Sequence, residues 1–433
     1  MVELMLYKQK YLMIDFKDKH KNLYLIKYGF FSLCLSFLGL PLYIHLPKFY
    51  HDNYGLSLAT IGTSLFFLRI FDAIIDPILG ILSEHFAFTQ KKYLIIFGLS
   101  LALFYNAFFN LPEFQSEQFT LCWFIVCTIM VYLFFSLIFI NYYNLGARLV
   151  KDASLIVKLS SFRELFGFLG MILASILPFI LFKFLGSYSQ AFVIYGMIFL
   201  ILVVIALLLL PDLPKNYKLN LNNFSNPFRS LNYIYHHKSL RLLIILFFIN
   251  SIPLAITSNL FTFYVDQVLL AKDLQAAYLV TYLLSGALCA SSFSFIFKDS
   301  NKIHALIMLM IISIIGFSIT YFIDSTNKEF FYLVCIISGF GLGGEMVLLP
   351  AMAAEMLKDN PQNGNVFFSI WGSCSKVSLA LAAGIFLPLI SNEKNIYYIS
   401  NIIFFYAIIP LVIKVISIML TVFLKTQISK GSA

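Results

Sequence analysis

The apolar run Leu68-Arg69-Ile70-Phe71-Asp72-Ala73-Ile74-Ile75-Asp76-Pro77 carries three charges spaced i, i+3 and i+7. On an α-helix with 3.6 residues per turn, Arg69, Asp72 and Asp76 fall on one narrow stripe. Two carboxylates one turn apart can converge on a small hard cation, which takes oxygen ligands. They can equally share a proton, because each carboxylate raises the other's proton affinity. Arg69 is placed to neutralise them in part. The spacing predicts a cation or proton site on this helix. The competing reading, a structural ion pair, accounts for one carboxylate and leaves the second unexplained.

Two more charges sit deep in apolar runs. Lys376 lies in Phe368-Ser369-Ile370-Trp371-Gly372-Ser373-Cys374-Ser375-Lys376, and Glu345 follows Gly339-Phe340-Gly341-Leu342-Gly343-Gly344. A charge at the centre of a bilayer costs about 2.5–3.5 kcal/mol on insertion scales, so such residues face protein or water and mark functional sites. Lys376 is too central to snorkel. It is expected to pair with the carboxylates in one state and release them in another; a permanent pair with Glu345 is the alternative. Over Arg69, Asp72, Asp76, Glu345 and Lys376 the charge comes out one positive short. A coupling ion filling that vacancy would let the interior close, since an uncompensated buried charge is expensive. Arg163 and Glu164, adjacent at the start of another run, read either as a solute ligand or gate, or as interfacial anchors. The glycines before Glu345 fit close helix packing. A phosphate loop would need Lys-Ser/Thr after them and a strand before, and both are missing.

The elements that must position these residues are long apolar helices. Of 433 residues, 60% are hydrophobic and only 12% charged, against about 45–50% and about 25% in soluble domains. Mean hydropathy is +0.88. A water-soluble domain, a secreted disulfide scaffold, a coiled coil and a disordered tail are excluded. Twelve runs long enough to span a bilayer are expected at 25–48, 57–82, 93–111, 119–143, 162–185, 190–210, 241–265, 274–297, 303–323, 330–357, 364–390 and 396–424. The domain organisation is then an N-terminal segment 1–24, a six-helix bundle 25–210 holding the cation site, a central polar segment 211–240, a second six-helix bundle 241–424 and a tail 425–433. With both termini cytoplasmic, 22 of the 30 Lys and Arg residues fall on cytoplasmic segments, five on outer loops and three inside spans, as the positive-inside rule requires. The net charge of +9 is thus a topology signal facing anionic lipid, not a nucleic-acid patch. Pro41 and Pro253 interrupt the first and seventh spans, corresponding positions in the two halves; paired interruptions point to a transporter's central site. The six cysteines lie in apolar runs without CxxC or paired spacing, which indicates small hydrophobes and not a disulfide framework or a zinc site. HExxH, GxSxG and kinase patterns are missing, so no enzyme is expected.

The pattern Arg69-Ile70-Phe71-Asp72-Ala73-Ile74-Ile75-Asp76-Pro77-Ile78-Leu79-Gly80, preceded by Leu56-Ser57-Leu58-Ala59-Thr60-Ile61-Gly62, resembles the glycoside–pentoside–hexuronide:cation symporters of the major facilitator superfamily, whose best-known member is the melibiose carrier. Further matching residues are Tyr28-Gly29, Ser161 to Glu164, Leu260 to Asp266, Gly339 to Glu355 and Phe367 to Gly384. The resemblance implies an all-α polytopic membrane protein, with twelve helices in two six-helix bundles that rock between inward- and outward-open states. It implies that Asp72 and Asp76 are cation-site carboxylates with Thr128 as a hydroxyl ligand. By the same resemblance Arg163 and Lys376 serve the central cavity. Arg69, Glu345, Trp371 and Ser36 are expected as further substrate and gating residues, although Glu345 is an added acid that the resemblance does not lead one to expect.

Three departures bear on function. Sodium-using members often place Asn or Thr between the aspartates, where this chain has Ile75. Sodium needs several oxygen ligands and a proton needs one carboxylate, so a proton is favoured over sodium at Asp72 and Asp76. The sugar-reading acids of the melibiose branch correspond to Ser36 and Val131, which argues against a galactoside site of that type. After Gly80 the chain keeps Glu84, Lys91 and Lys92 but no arginine run. The expected function is cation-coupled symport of a small solute, of the sugar or glycoside class by resemblance, by a monomer in the plasma membrane (the bacterial inner membrane). Its partners are the small-molecule solute and membrane lipid, with no nucleic acid, and it uses no cofactor beyond the coupling ion, H+ or Na+. An amphiphilic or lipid-like solute is the alternative, as is a receptor or scaffold that keeps the fold without transporting.

Overall fold

The computed structural model describes residues 21–44, 46–85, 91–111, 116–150, 152–210, 228–296, 301–390 and 398–431. Of the expected polar segments, residues 1–20, 211–227 and the last two of the tail lie outside the described residues.

All regular structure among the described residues is helical. The helices are α1 Lys21–Ile44, α2 Leu46–Tyr54, α3 Leu58–His85, α4 Lys91–Ala107, α5 Glu117–Leu149, α6 Ala153–Leu185, α7 Tyr188–Leu209, α8 Arg229–His236, α9 Lys238–Phe263, α10 Gln275–Ile296, α11 Lys302–Thr320, α12 Phe331–Leu357, α13 Gly364–Leu389, α14 Tyr398–Ile403 and α15 Ile409–Gly431. Helices occupy most of the described residues of each expected run. Ten of the described helical stretches are long and apolar enough to cross a membrane. Side-chain caps set several starts: Ser116 accepts from the Phe119 amide, Asp152 from Ser154 and Leu155, and Asn301 from Ile303. Each satisfies amides that the first turn leaves without a helical acceptor.

The chain forms two compact units. The first contains the residues up to Leu68, Ile75–Ile234 and Pro350–Ser369; the second contains Arg69–Ile74, Tyr235–Leu349 and the residues from Ile370 onward. Two stretches thus fold away from their own half of the sequence. The middle of α3 belongs with the second unit, and the end of α12 with the start of α13 belongs with the first.

Lipid is as apolar as leucine, so helix association here rests on close packing and interhelical hydrogen bonds. In the first unit, α1 and α6 touch through their backbones: a Cβ on Gly170 would stand 2.3 Å from the Leu33 carbonyl oxygen. Tyr28 of α1 and Tyr142 of α5 stack at 4.7 Å. The Tyr28 hydroxyl donates to the Tyr142 carbonyl, and the Tyr142 hydroxyl to the Tyr28 carbonyl. The residues that fold in from 350–369 are held by polar contacts. Asn365 is hydrogen-bonded to Asn144 of α5, Arg148 donates to the Pro361 carbonyl, and Asn360 donates to the Tyr233 hydroxyl of α8. In the second unit, α9 and α14 each run into a π-helical turn, Tyr264–Val268 and Phe404–Ile408. Tyr264 stacks on Tyr406 at 4.4 Å, and its hydroxyl donates to the Thr320 carbonyl.

Candidate functional site

The predicted stripe lies on α3, one continuous helix through Arg69, Asp72, Asp76 and Pro77. Proline has no backbone N–H, so Pro77 leaves the carbonyl four residues back, that of Ala73, without its helical donor. Ser373 of α13 supplies one: its Oγ donates to Ala73 O at 2.9 Å. One turn further along α13, Lys376 Nζ donates to Asp72 Oδ1 at 2.6 Å. Two donors on one face of α13 therefore occupy two adjacent oxygens of α3. Asp72 is buried, while the Lys376 side chain keeps 20% of its exposure. Trp371, earlier on α13, is buried with its ring stacked on Phe247 of α9 at 3.7 Å. It ties α13 to α9 and has no large exposed face.

Glu345 stands in a different cluster of the same unit. Its Oε2 accepts from Lys414 Nζ of α15 and from Asn250 Nδ2 of α9 (2.8 Å), and its Oε1 accepts from Ser313 Oγ of α11 (3.1 Å). The alternative pair Lys376–Glu345 is thereby overturned: each has another partner. The expected shortage of one positive charge is corrected as well. The span reading leaves Lys414 inside the last helix without a role, yet it is buried on Glu345. With Lys414 counted, the intramembrane charges balance.

In the first unit, Asp76 is buried at 1% exposure. Thr128 of α5 is fully buried, and its hydroxyl proton goes to the Phe124 carbonyl at 2.7 Å, which leaves the oxygen lone pairs as acceptors. Arg163 and Glu164 are not interfacial anchors: both are buried, with Nε bonded to Oε1 at 2.8 Å. The Arg163 guanidinium lies over the Tyr143 ring, 3.9 Å from its centre. Its Nη2 atom is buried with no hydrogen-bond partner. One turn along α6, Gly167 has no side chain to fill the space in front of Ser32 and Ser36, whose hydroxyls would stand 3.2 Å from a Cβ there. Ser36 therefore shares the α1–α6 face that carries Arg163.

Ser373 and Asn250 were missed by sequence reasoning. Pro77 is the signal for the first: a proline inside a buried helix requires an outside donor for the carbonyl it strands. Asn250 leaves no such mark, being one of several polar residues in its apolar run, beside Ser251, Thr257 and Asn259.

Among the described residues, regular structure that is all helical, with most helices long enough to span a bilayer and charged pairs buried inside, defines an integral multi-pass membrane protein. Residues 27–427 match the model of the family described as MFS/sugar transport protein, and the chain belongs to that family. Its members are transporters and not enzymes, and the resemblance to the melibiose-carrier-like symporters holds. The chain is 31% identical over 186 residues to the isoprimeverose transporter of Lactiplantibacillus pentosus, a stretch covering 41% of this chain and 38% of the relative. Among solved structures, it is similar to a bacterial homologue of the iron transporter ferroportin in its outward-facing state, with a TM-score of 0.70 at 12% identity, covering 94% of this chain and 100% of that one. It is also similar to the E. coli fucose:proton symporter, with a TM-score of 0.67 at 16% identity, covering 93% and 98%. Proteins with such different cargoes share the fold, so the fold leaves the solute open.

Proposed function

We propose that the protein is a proton-coupled symporter of a small sugar or glycoside that works by alternating access. One observation carries the reading: Lys376 and Ser373 sit on Asp72 and Ala73 as donors to the oxygens a bound cation would use. In the unloaded state the ammonium is the internal substitute for the coupling ion. Protonation of Asp72 removes the charge that holds Lys376. The proton goes to the carboxylate, and the ammonium keeps its own three protons. Asp76, one turn along the same helix, is the second carboxylate of the stripe, with Thr128 as a further oxygen ligand. A single carboxylate suffices for a proton, whereas sodium would need the oxygen that Ile75 does not offer.

Arg163 is assigned to the solute. Its buried Nη2 lacks a partner, and a polyhydroxylated molecule supplies acceptors for it. Ser36, on the same face, adds a hydroxyl that can donate or accept. The family match and the name of the relative from Lactiplantibacillus pentosus support the sugar class.

The test uses proteoliposomes and a panel of labelled pentosides that includes isoprimeverose. An inwardly directed proton gradient is expected to drive accumulation, and a sodium gradient alone is not. Asp72→Asn is expected to lose accumulation while keeping solute exchange at equilibrium. Accumulation driven equally by sodium, or unchanged in Asp72→Asn, overturns the reading.

A further inference from the structure

The cluster around Glu345 has no part in the mechanism above, yet it gathers four polar side chains from four helices of the second unit. Asn250 comes from α9, Ser313 from α11, Glu345 from α12 and Lys414 from α15, and all four are buried. We propose that Glu345 and Lys414 form a second proton-exchange site.

Three features carry the inference. The first is cost: a buried ion pair is poor at stabilising a fold, and well-packed apolar residues in its place are often neutral or better. A pair retained in so apolar a setting calls for a use beyond holding helices together. The second is the amide of Asn250. It donates to Glu345 Oε2 at 2.8 Å and accepts from Lys414 Nζ at 2.9 Å. If Glu345 takes a proton, Lys414 loses its counter-charge but keeps Oδ1 of Asn250 as an acceptor already in place. The cluster thus has a hydrogen-bonded arrangement ready for both protonation states. A pair that only pins two helices needs no third group to hold the ammonium after neutralisation.

The third feature is enclosure. Glu345 keeps 2% of its exposure. Glycines bring α11 against it: a Cβ on Gly341 would stand 2.3 Å from Ser313 Oγ, and one on Gly344 would stand 2.5 Å from Leu309. The titratable groups around it are Lys414 of α15 and, within electrostatic reach on α10, Tyr282 and Cys289. α9 and α11 present Asn250 and Ser313, which do not titrate. A proton can reach the carboxylate only when these helices part enough to admit water. Exchange is therefore tied to a motion, which separates a coupling site from a leak. The step balances simply: one proton passes from water to a Glu345 carboxylate oxygen, the hydrogen bond from Lys414 to that oxygen breaks, and the ammonium keeps its existing bond to Asn250 Oδ1.

The measurement needs no solute. The full-length protein in lipid nanodiscs is titrated with pH while infrared difference spectra record the carbonyl stretch of protonated carboxylic acids. The wild type is expected to gain a band on acidification that is lost in Glu345→Gln and kept in Asp72→Asn. In Lys414→Gln the acid has no counter-charge, and its band is expected to persist to higher pH than in the wild type. The neutral double variant Glu345→Gln/Lys414→Met removes both charges together, is expected to fold, and should lack the band. Superimposable spectra for the wild type and either Glu345 variant overturn the proposal, as does a Lys414→Gln spectrum that titrates like the wild type. Gradient-driven uptake that depends on Asp72 would stand untouched by such a failure, whereas failed uptake beside a titrating Glu345 band would sink only the symport reading.

Discussion

Ser373 completes the backbone of a helix to which it does not belong. Its hydroxyl meets the Ala73 carbonyl at 2.9 Å, the one that Pro77 deprives of a helical N–H. A buried acceptor left without a donor costs about 1–3 kcal/mol. Ser373→Ala is therefore expected to lower stability by about that amount. Pro77→Ala restores an N–H for Ala73, so the same serine substitution made in that background should cost far less. A double-mutant cycle by thermal unfolding reads the difference. An equal cost in both backgrounds would show that the hydroxyl does not serve this carbonyl.

The Lys376–Asp72 pair makes a second prediction. Breaking a buried pair by removing one partner costs roughly 3–5 kcal/mol, because a charge is left uncompensated. Lys376 retains some solvent, so Lys376→Ala should fall at the low end of that range. Asp72→Asn/Lys376→Gln, with neither charge, should recover most of the loss. Unfolding temperatures of the three variants decide it, and a double variant worse than the single one would contradict the pairing.

Close approach of α1 and α6 depends on Gly170. A methyl group there would meet the Leu33 carbonyl oxygen at 2.3 Å, and backbone cannot rotate out of the way as a side chain can. Overpacking of this kind typically costs about 1–3 kcal/mol. Gly170→Ala is expected to destabilise by that amount. Gly384→Ala, with open space around it, is the control and should change little.

Glu84 sets a pH dependence. It lies past the expected end of its span, with Oε1 2.6 Å from Ser230 Oγ and Oε2 buried without a hydrogen-bond partner. Burial pushes its carboxyl above the ordinary carboxylate range, against the lowering by the Ser230 hydrogen bond, Arg148 and Arg229. The folded protein then holds this proton more tightly than the unfolded chain, so stability falls as pH rises from the ordinary carboxylate range through the raised value. Glu84→Gln cannot titrate. Thermal unfolding across that window should show a decline in the wild type that is flattened in Glu84→Gln; parallel curves would refute the assignment.

The sequence alone determined the class of protein, its helices, and which residues are costly where they stand. Apolar runs of bilayer length and basic residues sorted to one side are local or one-dimensional signals, and so is the i, i+3, i+7 stripe of Arg69, Asp72 and Asp76. Pairing is a different kind of quantity. Whether Lys376 meets Asp72 or Glu345 depends on how α13 is rotated and shifted against α3 and α12, and no periodicity along one helix records that. Lys414 shows no role along the chain, and Arg163 and Glu164 read either as cavity residues or as interfacial anchors, because burial is decided by the neighbours that surround a helix and not by its own order of residues. Only the packed structure, in which glycines and prolines decide how near two backbones come and which carbonyls need help, determined that Ser373, Asn250 and Lys414 complete what the charges begin.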